Sequence, residues 1–110
     1  MAIKYFRKYL TPVASTETTI YTVPAGNTSV ISSLRVTNGA AQATLLTAAL
    51  YPEGGGTAYA LLSEYSLAPD QTMDVFSGVP CVVQASDVLK VTSTESSVDF
   101  YLSYMEMDRN

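Results

Sequence analysis

Apolar residues in this chain recur at every second position along most of its length. Near the C-terminus Val98, Phe100, Leu102 and Tyr104 share one parity, while Asp99 and Ser103 share the other with Tyr101, Met105 and Met107. A period of two belongs to a strand, which sends successive side chains to opposite faces of a sheet. The second parity is not cleanly polar. Its tyrosine and two methionines point to a second contact surface, with another chain as the natural occupant. Thr28 to Asn38 alternates as well, setting Val30, Ser32, Leu34 and Val36 against Ile31, Ser33, Arg35 and Thr37, with Arg35 outward. Its β-branched residues suit a pleated surface. Thr18 to Val23 reads as the preceding strand, and Val23-Pro24-Ala25-Gly26-Asn27 as a turn in which Gly26 or Asn27 takes a positive φ. The two flanking strands are expected to pair as a hairpin.

Further strands are expected at Thr44 to Tyr51, Thr57 to Ser63, Thr72 to Phe76, Cys81 to Gln84 and Val88 to Thr94, ahead of the last one. Pro52 ends the first of these, Glu53-Gly54-Gly55-Gly56 is a loop, and Pro69-Asp70-Gln71 and Ala85-Ser86-Asp87 are turns. Ala40 to Leu50 is rich in Ala and Leu, but Thr44 and Thr47 interrupt it and no helix cap precedes it. Ile3 to Leu10 carries apolar and basic residues at both parities and reads as an edge strand or an arm. About eight short strands with turn signals every 8–12 residues predict an all-β fold. The expected architecture is a single antiparallel β-sandwich or jelly-roll-like domain over residues 13–110, with an N-terminal arm or edge strand over residues 1–12. One internal echo stands out. Tyr21-Thr22-Val23-Pro24-Ala25-Gly26-Asn27-Thr28 parallels Tyr65-Ser66-Leu67-Ala68-Pro69-Asp70-Gln71-Thr72, which would suit two similar hairpins.

Charge refines this picture. The net charge is −4, yet Lys4, Arg7 and Lys8 supply half of the six cations within the first eight residues. Arg35, Lys90 and Arg109 face all ten carboxylates, leaving residues 9–110 at net −7. Such a body repels phosphate, so nucleic acid is not an expected partner. The basic N-terminus is suited to docking on an acidic neighbouring surface. No apolar run approaches the ~18 residues of a membrane span, and no secretory signal opens the chain, so synthesis in a cytoplasm is expected.

The chain has no histidine and one cysteine. It therefore lacks the commonest general base and metal ligand, and no internal disulfide can form. Cys81 reads as a small buried apolar residue, or else as an intermolecular bridge. Asp70 with Asp74, or Asp87 with Asp99, could be paired carboxylates, but Asp70 lies in a turn and Asp87 precedes a strand, where Asp bonds to the local backbone. Gly54-Gly55-Gly56 lacks the Lys and the following helix of a phosphate cradle. No spacing matches a dedicated calcium loop. No catalytic residues, metal or cofactor are expected. Eight tyrosines supply most of the aromatic area. Tyrosine suits interfaces and sugar stacking alike, and Tyr51 and Tyr59 flank the glycine loop as candidate tip contacts.

Several phrases resemble a group of small bacteriophage virion proteins. They are Ile20-Tyr21-Thr22-Val23-Pro24-Ala25-Gly26-Asn27-Thr28 with Ser33-Leu34-Arg35-Val36-Thr37-Asn38, then Ser66-Leu67-Ala68-Pro69-Asp70-Gln71-Thr72, then Asp87-Val88-Leu89-Lys90-Val91-Thr92. The likeness runs from about Thr19 to Met107. Pro69-Asp70 replaces the usual turn glycine, and the first twelve residues have no counterpart. The resemblance implies a β-sandwich or jelly-roll module that decorates a capsid as a cement protein, or serves in the neck or tail. It implies a virion location, the major capsid protein or other virion proteins as partners, and a homo-oligomer, expected to be a trimer. Partner contacts are expected from Lys4, Tyr5, Phe6, Arg7, Lys8 and Tyr9. A carbohydrate-binding sandwich using the loop tyrosines is the competing reading.

Overall fold

The computed structural model describes residues 3–108. Arg109 and the first two residues of the expected arm lie outside them. Nine strands run through the described residues: β1 (Ile3–Leu10), β2 (Thr18–Thr22), β3 (Asn27–Asn38), β4 (Thr44–Tyr51), β5 (Tyr59–Leu67), β6 (Thr72–Asp74), β7 (Cys81–Gln84), β8 (Val88–Ser93) and β9 (Val98–Asp108). A single 3₁₀ turn, Pro52–Gly54, follows β4. One antiparallel sheet is ordered β1-β9-β3-β6, with β7 also paired to β3, and the other is ordered β2-β8-β4-β5.

The order follows one rule. β1 pairs with β9, β2 with β8, β3 with β6 and β7, and β4 with β5. The chain is thus a long hairpin, folded at the Gly54-Gly55-Gly56 loop and rolled into two facing sheets. That is the jelly-roll arrangement, with its sixth strand split into β6 and β7. The N-terminal segment Ile3–Leu10 is an edge strand, paired with β9 at all eight positions.

Two sequence expectations are corrected here. β2 and β3 form no hairpin, because they lie in different sheets. The turn between them does form: the Asn27 N–H donates to the Pro24 carbonyl at 3.2 Å, and Gly26 takes φ +82°. It is a corner that carries the chain across the sandwich rather than back alongside itself. Its echo is likewise a corner. The Gln71 N–H donates to the Ala68 carbonyl at 3.2 Å, and Asp70 takes φ +62° at the position matching Gly26. Aspartate tolerates this left-handed conformation better than most non-glycine residues. Both corners leave the second sheet and enter the first, and each is plugged by a buried apolar residue, Val23 or Leu67.

The second correction concerns β3. The pairing with β9 shifts register between Ile31 and Ser33, a β-bulge. One extra residue reverses the parity of everything beyond it. Ser29 and Ile31 point inward before the bulge, and Leu34, Val36 and Asn38 after it. Val30, grouped by plain alternation with Leu34, therefore faces out.

The core between the sheets includes Ile31, Leu34 and Val36 from β3, Phe100, Leu102 and Tyr104 from β9, Leu46 from β4 and Val91 from β8. At one end, Asn38 is fully buried and fully bonded. Its Nδ2 donates to the Gln42 and Leu67 carbonyls at 2.9 and 3.0 Å, and its Oδ1 accepts from the Ala40 N–H at 2.9 Å. Its backbone pairs with Gln71 and Asp70, so one residue fastens the second corner. Beside it Gly39 passes so close to Ser97 that a Cβ would meet the Ser97 carbonyl oxygen at 2.8 Å.

Candidate assembly surface

Because β1 is an edge strand, its two faces have different fates. Residues opposite each other in an antiparallel pair project to the same side. Phe6 opposes Tyr104 and Leu10 opposes Phe100, so these side chains turn inward. The Phe6 and Tyr104 rings stack at 5.6 Å, and Leu10 packs on the core. Lys4 and Lys8 share this inward parity, opposite Glu106 and Leu102. Ile3, Tyr5, Arg7 and Tyr9 take the outer face, with Tyr5 81% and Tyr9 70% exposed. The Tyr9 ring stacks on Tyr101 at 6.4 Å. Arg7, Tyr9, Leu10, Thr11, Asp99, Phe100 and Tyr101 line a shallow groove of about 400 Å³. The six consecutive residues from Lys4 to Tyr9 are thus divided between two faces, and the three cations do not form one patch.

The outer face of the first sheet carries more apolar surface than β1 alone. Tyr5 opposes Met105, Met105 opposes Val30, and Val30 opposes Val82. These four residues form one row straight across the sheet. Its two ends are its most open members, Tyr5 and the 62%-exposed Val82, while Met105 and Val30 are half-buried. Ile3 and Met107 begin the neighbouring row, which continues through Thr28 to Gln84. Met105 and Met107 were legible in the sequence as apolar residues on the wrong parity. Val30 was not, because the bulge reverses its side. The signal was the three-residue spacing of Ile31 and Leu34 around two small serines. Val82 gives no such signal, since only the pairing of β7 to β3 shows that it extends the row.

The loop tyrosines do not converge. Tyr59 opposes Leu50 and shares its side, whereas Tyr51, the next residue along β4, projects to the opposite face. The Tyr51 hydroxyl donates to both carboxylate oxygens of Glu17 at 2.8 and 3.0 Å, and the Lys90 ammonium sits 4.4 Å from its ring centre. The bond to Glu17 raises the Tyr51 pKa. Tyr59 stays 60% exposed.

Of the carboxylates weighed as acid–base pairs, those of Asp87 and Asp74 hold backbone. Asp87 accepts from the Glu53 and Gln84 N–H groups at 3.0 and 2.8 Å. Asp74 accepts from Leu34, Phe76 and Gly78 N–H groups. Asp99 accepts from the Thr11 hydroxyl at 2.6 Å. Asp70 sits in the corner, where its N–H bonds the Asn38 carbonyl. Among the described residues no three His, Cys, Asp or Glu side chains gather where a metal ion could be held.

One polar cluster lies between the sheets. The Tyr21 hydroxyl donates to Glu106 Oε2 and lies 2.6 Å from Ser29 Oγ, so the serine is the donor of that second bond. The Asn27 amide reaches Glu106 Oε1 at 3.4 Å, and the Tyr21 and Tyr104 rings approach to 4.2 Å. Burial, followed by the bond to Glu106, pushes the Tyr21 pKa far up; burial and the Glu106 charge raise that of Tyr104. Two neutral phenols and a bonded carboxylate make a structural lock here.

The fold places the chain among jelly-roll β-sandwiches. No protein-family model matches it, and no curated protein is similar to it in sequence. Among solved structures it is similar to a protein of the disulfide-linked pili of Bacillus endospore appendages, at 12% identity over 99% of this chain and 88% of that one, with a TM-score of 0.61. It is also similar to a chain of the infectious bursal disease virus particle, at 11% identity and TM-score 0.59 over 94% of this chain. The match spans only 30% of that viral chain. A pentameric capsid protein from metagenomic phage sequences aligns at 22% identity over 93% of this chain and 60% of its own, with TM-score 0.46. At these identities the likeness is one of fold.

Proposed function

We propose that this chain is a structural protein of a phage virion, a capsid decoration protein that binds the outer surface of the major capsid shell as a trimer. It acts by burying surface and has no catalytic task. The observation that carries the reading is the apolar outer face of the first sheet, with an edge strand whose Tyr5 and Tyr9 are largely exposed. Aromatic rings with polar tips are what protein interfaces enrich, and an ordinary contact buries about 800 Å² per partner. Binding that favours the closed shell makes the shell harder to open by mass action. The jelly-roll fold shared with a viral particle protein and a pilus protein agrees with an assembly role. The carbohydrate reading lacks a platform, since Tyr51 and Tyr59 project from opposite faces.

Quantitative gel analysis of purified virions tests this. Hundreds of copies per particle are expected, whereas tens or fewer would move the protein to the neck or tail. Added back to undecorated particles, a Tyr5→Ser, Tyr9→Ser double variant should lose occupancy while melting close to the wild type. Full occupancy by that variant would remove the outer face of β1 from the binding surface.

A further inference from the structure

We propose that the chain associates head to tail with a second copy of itself, β1 of one copy pairing antiparallel with β7 of the next, so that the first sheets run on continuously. This goes beyond the virion reading and stands or falls separately from it.

The argument starts from the sheet edges. A strand edge offers unpaired N–H and C=O groups, and proteins guard such edges with charge, bulges or brevity. β5 shows two register shifts against β4 and holds Glu64 at φ +48°. β2 is shifted against β8. β6 is three residues long and ends on Asp74. β1 carries Lys4, Arg7 and Lys8, so two β1 strands laid together would oppose six cations. β7, Cys81-Val82-Val83-Gln84, has no charge and no shift, and Val79 just before it is 67% exposed. Among the described residues, β7, four residues long, is guarded by brevity alone, and β1 is the edge barred only from its own kind. The two lie on opposite borders of one sheet.

Polarity and register agree. β1 runs antiparallel to β9, β9 to β3, and β3 to β7. β1 is therefore antiparallel to β7, and a copy displaced along the sheet presents the correct direction. The outer row fixes the register. Its exposed ends, Tyr5 and Val82, meet when Tyr5 of one copy opposes Val82 of the next, and the apolar row then crosses the junction unbroken. In that register Phe6 opposes Cys81, both on the inward side, and Ile3 opposes Gln84. Pro80, which has no N–H, ends the ladder beyond Phe6. The three cations of β1 also approach a body of net −7. An interface between unlike patches closes into a ring when the rotation allows.

Cysteine cross-linking tests both partner and register. Residues opposed in an antiparallel pair have Cα atoms about 4.5–5.5 Å apart, within disulfide range. Phe6→Cys, oxidised with diamide, should give covalent dimers and larger species through Cys81 of the neighbour, and adding Cys81→Ser should abolish them. Tyr5→Cys alone faces the other side and should not cross-link. Combined with Val82→Cys and Cys81→Ser, it should. Circular dichroism and melting of each variant confirm that it is folded. Phe6→Cys dimers that persist without Cys81 would mean β1–β1 pairing and overturn the proposal. So would equally strong cross-linking by Tyr5→Cys alone, or folded Phe6→Cys and triple variants that both stay monomeric.

Discussion

Replacing Asn38 by Ala should be among the most damaging polar substitutions in this protein. Asn38 is fully buried, and its amide makes three hydrogen bonds, to the Gln42 and Leu67 carbonyls and from the Ala40 N–H. The bond to Leu67 is buried, so its carbonyl is stranded, at about 1–3 kcal/mol. The other two lie nearer the rim, where water can replace part of the loss, and together contribute about 1–2 kcal/mol. The total is about 2–5 kcal/mol. With an unfolding entropy of about 2.1 cal/mol/K per residue, a chain of 110 residues should melt about 9–22 °C lower. Thermal unfolding followed by circular dichroism reads this directly. Asn38→Asp sharpens the test, because it keeps the shape while replacing the two N–H donors by a carboxylate that faces carbonyls. That environment disfavours the charged form, so the variant's deficit against wild type should be largest at neutral pH and shrink towards pH 4. An Ala variant melting within about 3 °C of wild type, under the same conversion, would refute the reasoning and leave the second corner to be held by backbone alone.

Three other expectations follow from the same packing. Tyr21 has a pKa raised above its ordinary 10.0, so its contribution to stability is complete below pH 10 and is lost as the pH climbs past that value. Tyr21→Phe should be less stable by about 1–3 kcal/mol at pH 7, yet lose stability less steeply between pH 9 and 11; an unchanged slope in alkaline melts would contradict this. Gly39→Ala should destabilise by forcing its Cβ towards the Ser97 carbonyl, and a melting temperature equal to wild type would show that the segment between β8 and β9 that carries Ser97 yields freely. Phe6→Ala should cost about 3 kcal/mol or less, because Phe6 is 41% exposed, whereas Tyr5→Ser on the other face should be nearly neutral in the same melts.

The sequence by itself determined that the chain is all-β, where most strands begin and end, and which parity of β9 is buried. It also placed the polar turns, because period-two alternation and residues such as Pro24, Gly26 and Asp70 act locally. It exposed the second apolar face of β9 through Met105 and Met107, and it marked β1 as basic and aromatic. Only the tertiary structure decided which strands are neighbours. Alternation says which side of a strand is buried but not what lies beside it, so β2 and β3 look like a hairpin while they stand in opposite sheets. A single bulge in β3 likewise sends Val30 outward, where it completes the row from Tyr5 to Val82. That row joins residues 77 positions apart, and no local pattern encodes it, because each pairing that aligns it is long-range.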